Sequence, residues 1–317
     1  MTMVMRRRRW GGLLALMVGV VSVMGGQARG VRRRYGRSPG GLPDVDVTVV
    51  PTGGALQGLA PVEMTAFGDS AMAGVGVDEV KDTLPVQLAQ RVADGAARPV
   101  HVVCHARSGA LTRDVLDRQL PLASRGTAVS VLVVGTNDVI HMTRPARLAR
   151  HSGELLDALA GLGCPVVMSS LPEFRAMRAL PEPLRSAVHG YGVLISGVQR
   201  RAASRRSSVR LVDVSGSVGR EFVDDPSTMS ADRIHPSATG YGRIADALAP
   251  TVLEVLRAAE PSGSAGIVST DPGATGQCKS AAKRLQETCI ANSPDRSRAR
   301  RLWFSGDAGW GVGHGRR

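Results

Sequence analysis

The chain has 317 residues, 43% of them apolar and 21% charged, which is enough for a sizeable buried core and too apolar for a disordered chain. Its formal charge of +13 sits on the flanks: residues 1–61 carry nine Lys or Arg against two Asp or Glu, residues 62–260 carry 22 against 21, and residues 261–317 carry nine against four. A near-neutral middle, with Trp10, Trp303 and Trp310 all outside it, argues against nucleic-acid binding there, and four cysteines without zinc-type spacing argue against a disulfide scaffold or a zinc site.

Arg6 to Arg9 precede a nearly uncharged apolar stretch, Trp10 to Gly26, and Gly26-Gln27-Ala28 has the small-x-small form of a cleavage site. Residues 1–28 therefore read as an export signal, placing the protein in the cell envelope or outside the cell. Arg32 to Arg34 follow closely and resist translocation, which keeps an uncleaved membrane anchor over residues 10–26 as the alternative. Residues 29–61, rich in Gly, Pro and Arg without sustained periodicity, read as a flexible basic linker.

From Val62 the pattern alternates. Strands are predicted at Val62 to Phe67, Val100 to Cys104, Val129 to Val134, Pro165 to Ser169 and Val209 to Val214. Helices are predicted at Thr83 to Val92, near Asp114 to Leu120, at Pro145 to Leu162, Pro183 to Ala203 and Ser237 to Ala259, the last with a proline at 250 that favours a kink. Short, wholly apolar strands separated by helices imply an α/β domain over residues 62–260, with a five-stranded parallel sheet covered on both faces. Cys104 and Cys164 fall in strand-like runs and read as small buried hydrophobes. Residues 261–317 shift to Gly, Ser, Asp and Arg and read as a mostly disordered basic tail, helical only over Ser280 to Ile290; its Cys278 and Cys289 are candidates to pair after export.

In such a sheet ligands bind outside the carboxyl ends of the strands, and the chemistry-bearing residues cluster there. Gly68-Asp69-Ser70 follows the first predicted strand, and Asp232-Arg233-Ile234-His235 precedes the last helix. A serine hydroxyl becomes a useful nucleophile when a histidine takes its proton and a carboxylate orients that histidine. Asp232 and His235, three apart, let one turn supply both. Gly135-Thr136-Asn137-Asp138 ends the third strand and offers the Asn137 amide, while Ser108-Gly109 offers a backbone N–H where a side chain would crowd a ligand.

These blocks, in this order, resemble the SGNH or GDSL hydrolases over roughly Val62 to Glu260: Gly68, Asp69 and Ser70 match the serine block, Gly109 the second-block glycine, Gly135, Asn137 and Asp138 the third, and Asp232 and His235 the fourth. Two departures are Ala71, where the family's name has leucine, and Ala106-Arg107-Ser108-Gly109 in the second block, whose Arg107 is placed to affect what approaches the site. The resemblance implies a three-layer α/β/α flavodoxin-like sandwich and a serine esterase or lipase. Ser70, His235 and Asp232 would be its catalytic residues, and Ser70, Gly109 and Asn137 its oxyanion hole, with no metal or organic cofactor required.

The substrate expected is a small-molecule, glycolipid or polysaccharide ester, and the small residues Ala71, Ala73, Gly74 and Gly76 favour an open mouth for short acyl groups or sugar acetates. Nucleic acid is not an expected partner; membrane association through the N-terminal segment is an open one. An acyltransferase with a sugar or lipid hydroxyl in place of water shares the same residues, and a catalytically silent envelope-binding module is the alternative from another class. Asp224 and Asp225 are rivals to Asp232 that fit better in a solvated acidic loop. His101, His105, His141, His151 and His189 receive no chemistry, and Arg200, Arg201, Arg205 and Arg206 suit the end of a helix.

Overall fold

In the computed structural model the described residues are 17–31, 33, 44–54, 58–124 and 126–259. The expectations for the tail, including its helix and the Cys278–Cys289 pair, lie outside them. Six strands form one sheet: β1 (Asp46–Val49), β2 (Val62–Gly68), β3 (Val100–Cys104), β4 (Val129–Val133), β5 (Val166–Ser169) and β6 (Val209–Val212). Their order is β1-β3-β2-β4-β5-β6. The last five are parallel, as their unbroken valine-rich runs predict for strands buried on both faces.

Helices α1 (Leu84–Ala96), α2 (Thr136–Ile140), α3 (Pro145–Ala160), α4 (Leu184–Ala203), α5 (Val214–Asp224) and α6 (Ala238–Ala259) complete the layers. On one face Leu84, Leu88 and Val92 of α1 and Tyr241, Leu248 and Val252 of α6 pack with Met64, Val102 and Val131 of the sheet. On the other, Leu155 and Leu159 of α3 and Ala202 of α4 pack with Phe67, Leu132 and Met168. The three-layer α/β/α arrangement is thus built on two separate apolar interiors. Pro250 lies inside α6 without ending it.

Three features depart from the sequence reading. β1 falls within residues 29–61, read as a linker; it pairs antiparallel with β3, and the Val45 carbonyl accepts from Cys104 N–H at 2.8 Å. β6 stops at Val212 because Asp213 turns the chain, its Oδ1 accepting from Gly216 N–H at 3.1 Å to cap α5. Asp224 then closes α5 instead of lying in a loop, and Asp225 caps the next turn through Ser227 N–H at 2.8 Å. Residues 17–31, within and just beyond the segment read as a signal or anchor, are helical.

β2 lies between β3 and β4, so the chain leaves β2 for a neighbour on one side and then crosses to the other. That reversal opens a crevice at the carboxyl end of β2. Ser70 stands there.

Candidate active site

β2 ends at Gly68, where a side chain would collide with the Val133 carbonyl of the adjacent strand. The buried Gln119 amide grips this residue from both sides, donating to its carbonyl at 2.8 Å and accepting from its N–H at 2.9 Å. Asp69 N–H then bonds Val133 O at 3.1 Å, and the next residues coil into a tight turn with Val75 N–H on Ser70 O at 3.0 Å. The buried Tyr241 hydroxyl anchors the far side of that turn, donating to Val75 O at 2.6 Å. Ser70 is thereby fixed on backbone that has little freedom to move.

The Asp232–His235 turn reaches over from the start of α6. His235 Nε2 lies 3.0 Å from Ser70 Oγ, and His235 Nδ1 lies 2.6 Å from Asp232 Oδ2. Asp232 Oδ1 accepts from Ser230 Oγ at 2.8 Å, Ile234 N–H at 2.7 Å and His235 N–H at 2.9 Å. Partial burial works to raise the Asp232 pKa, but the hydrogen bonds from the His235 ring and the two backbone N–H groups outweigh it and hold the carboxyl well below the usual carboxylate range. Asp232 stays ionised. With Nδ1–H turned to this carboxylate, Nε2 is the nitrogen left to accept the serine proton.

Gly109 occupies a turn closed by Ala110 N–H on Arg107 O at 3.1 Å, with a φ of +81° that favours glycine. Arg107 N–H also bonds Gly68 O at 3.2 Å, which ties this turn to the strand carrying the serine. Asn137 is in the first turn of α2, and one of its amide hydrogens goes to Ala110 O at 3.1 Å. Ser70, Gly109 and Asn137 all line one cavity of about 470 Å³. Among the described residues, no partner takes the N–H of Ser70 or of Gly109. Arg107 points its guanidinium to Asp44 at 2.8 Å.

Two carboxyls that are almost fully buried lie beneath this surface. Asp69 Oδ1 accepts from Ala71 N–H at 3.2 Å, and Asp138 Oδ2 accepts from Thr112 N–H at 2.9 Å and Thr112 Oγ1 at 2.7 Å. Among the described residues, Asp69 Oδ2 and Asp138 Oδ1 have no hydrogen-bond partner. Burial, with the nearby Asp138 charge adding to it, pushes Asp69 up to about 6 against the opposing pull of Ala71 N–H and His235.

The rest of the cavity is mostly apolar. Val214, Val218, Phe222, Met229, Ile234 and Ile244, from α5, α6 and the segment between them, line it with Ile140, His141, Met177 and Val31, while Ser169, Ser170, Glu173 and Ser215 add polar groups. One of the small residues after Ser70 has a packing reason: a Cβ on Gly76 would sit 2.6 Å from Pro236 O and 3.1 Å from His235 Cβ, so its size lets the histidine turn close over it, whereas Ala71 lines the cavity. Sequence reasoning missed Gln119 and Tyr241, which belong to no motif, and His141, which stands in the cavity wall. His101 instead bridges Glu63 and Asp46 at 2.8 Å each, and His189 meets Glu173 at 3.0 Å. Arg206 pairs with Asp157 at 2.6 Å at the end of α4.

The sequence model of the GDSL-like lipase/acylhydrolase family matches residues 66–243. A GDSL-like esterase of Mycobacterium tuberculosis is 26% identical over 239 residues, which span 73% of this chain and 76% of the relative. Among solved structures, TesA is 25% identical with a TM-score of 0.49, covering 61% of this chain and 99% of its own. An extracellular lipase from Streptomyces rimosus is 20% identical with a TM-score of 0.47, covering 61% and 99%.

Proposed function

Since the chain belongs to the GDSL-like lipase/acylhydrolase family and is a hydrolase acting on esters, we propose that it works through an acyl-enzyme on Ser70, with His235 as the base and Asp232 as its orienting carboxylate. The observation that carries this reading is the continuous chain of hydrogen bonds from Ser70 Oγ through the imidazole to Asp232, at 3.0 and 2.6 Å. Ser70 Oγ attacks the ester carbonyl carbon while its proton passes to His235 Nε2. The carbonyl oxygen becomes an oxyanion facing the N–H groups of Ser70 and Gly109 and the free amide hydrogen of Asn137; such donors contribute about 3 to 4 kcal/mol each. Collapse expels the alcohol, which takes the proton from Nε2, and leaves the acyl group on Ser70. Water, giving its proton to the same nitrogen, then attacks the acyl-enzyme and releases the acid.

The apolar lining from α5 and α6 supports a substrate class: valine, isoleucine, phenylalanine and methionine side chains predominate over Ser169, Ser170, Glu173 and Ser215, which favours an acyl chain of several methylenes over a sugar. Each buried CH₂ adds about 0.8 kcal/mol. Apolar N-terminal residues flanked by arginines support a place at the cell envelope, held there by the uncleaved segment. Purified Ser70→Ala protein should hydrolyse p-nitrophenyl esters at least about 10⁴-fold more slowly than wild type, and wild type should prefer octanoate to acetate. Equal rates for the variant would remove the acyl-enzyme; a preference for acetate would remove the acyl-chain assignment alone.

A further inference from the structure

The helix over residues 17–31 takes no part in the sheet, yet it reaches the mouth of the cavity. Its two halves differ. In the C-terminal half Met24, Gln27, Ala28 and Val31 are part-buried at helical spacing. Gln27 donates from Nε2 to Glu182 O at 2.6 Å and accepts at Oε1 from Leu184 N–H at 3.3 Å. Val31 packs against the apolar cluster of Phe174, Met177 and Leu180 and lines the cavity that holds Ser70. In the N-terminal half Met17, Val18, Val20, Val21 and Val23 are 41–66% exposed. The docked end is anchored by the Gln27 hydrogen bonds, and the exposed half projects from it.

Two more large apolar side chains, close to each other in sequence, are exposed: Ile140 lines the cavity with Val31 and is 41% exposed, and Met142, two residues on, is 61% exposed. The charge pattern says what covers these groups. The chain is uncharged from Trp10 to Ala28, with Arg6 to Arg9 before it and Arg29, Arg32, Arg33 and Arg34 after it. An apolar segment with arginines at both ends matches a layer of acyl tails beneath anionic headgroups. Among the described residues no helix is long and apolar enough to cross a membrane.

We propose that this helix is a strap between the active site and an anionic lipid surface. Its projecting half enters the bilayer interface, and its docked half holds the cavity mouth, at Val31 and Ile140, against the lipid. Ester substrate then reaches Ser70 from the bilayer. Delivery of substrate rests on the esterase reading above; the binding to lipid does not.

The test uses the full chain with vesicles of phosphatidylcholine containing about a third phosphatidylglycerol. Wild type should float with these vesicles, and Val18→Asp with Val21→Asp in one chain should reduce flotation at least about tenfold, since two apolar side chains lose their burial. Hydrolysis of soluble p-nitrophenyl butyrate should stay unchanged in that variant, while hydrolysis of an ester embedded in the vesicles should fall with binding. Gln27→Ala, which frees the docked end, should still float yet lose embedded-ester hydrolysis relative to soluble-ester hydrolysis by about threefold or more, the loss of one hydrogen-bonded anchor. No flotation of wild type, equal flotation of the aspartate variant, or a dimer that buries these residues in place of vesicle binding would overturn the proposal. Gln27→Ala with an unchanged ratio would overturn the delivery geometry. Failure of the esterase reading looks different: Ser70→Ala would keep its activity, with flotation unaffected.

Discussion

The turn that carries Ser70 is held by partners distant in sequence and closed off from water, whereas the turn that carries Asp232 and His235 holds itself. Gly68 and Asp69 depend on Gln119, Val133 and Arg107, and the loop after Ser70 depends on Tyr241. By contrast Asp232 takes its three Oδ1 bonds from residues 230 to 235, Ser230 N–H closes the turn on His235 O at 2.9 Å, and Arg233 adopts a φ of +57° within it. The Asp232 and His235 side chains keep 30% and 15% of their surface in contact with solvent, against almost none for Asp69 and Gln119. Ser70 is placed by the fold and His235 by a local loop. Damage to the first should therefore appear in stability, and damage to the second in rate.

The sharpest separation comes from Asp232→Asn. It leaves an acceptor for the turn but removes the charge that holds the imidazole tautomer, so kcat should fall about 10⁴-fold. Because the depressed Asp232 pKa contributes stability above the ordinary carboxylate range, the variant should be slightly less stable at neutral pH. After solvent screening that difference is about 1 kcal/mol or less, and it should close as pH falls into the acid range where the native carboxyl protonates. A large loss of stability in urea titrations would break the contrast. Gln119→Leu tests the other turn: with the buried N–H of Gly68 unpaired and its C=O left to Arg107 N–H alone, unfolding free energy should drop by about 1 to 3 kcal/mol. A stable variant with only a rate defect would show that the Ser70 turn does not rely on its distant partners.

Asp69→Asn probes the same buried region through pH. Asp69 is pushed up to about 6 in the folded protein, so wild type binds a proton there that the unfolded chain has released. Its contribution is therefore fully present below the unfolded carboxylate value and declines as pH rises through about 6, by roughly 2 to 3 kcal/mol at about 1.4 kcal/mol per pKa unit. The asparagine variant should lack this decline when chemical denaturation is compared at about pH 4 and pH 7. The smallest effect is expected at β1, far from both turns. Glu63, and then Asp46, raise the His101 pKa, so the latch they form is present below the ordinary histidine value and is lost as pH rises through the raised one. His101→Ala should cost about 1 kcal/mol or less for such exposed groups, seen as faster amide exchange along β1.

The triad and oxyanion candidates were legible because each role demands a particular residue type at a strand end, and Ser70, Gly109, Asn137, Asp232 and His235 each satisfy that demand within a recognisable spacing. Gln119 was not, since a glutamine that binds backbone 51 residues away leaves no local pattern. The alternation of Val45, Val47 and Val49 did mark β1, but four residues within a Gly- and Pro-rich stretch gave too short a period beside the longer core strands. α5 was hidden because Val209 to Val214 reads as one strand despite Arg210 and Asp213, and only the cap on Asp213 shows where strand gives way to helix. The apolar lining of the cavity was out of reach for a related reason: it gathers side chains from α5, α6 and the segment between them, and α5 was unseen.

The central claim, that Ser70 is a nucleophile activated by His235, is tested most directly by intact-mass and peptide analysis after treatment with a fluorophosphonate. The account predicts a single adduct, on the peptide containing Ser70, that fails to form in His235→Ala. An adduct on another residue, or undiminished labelling of Ser70 without His235, would contradict it.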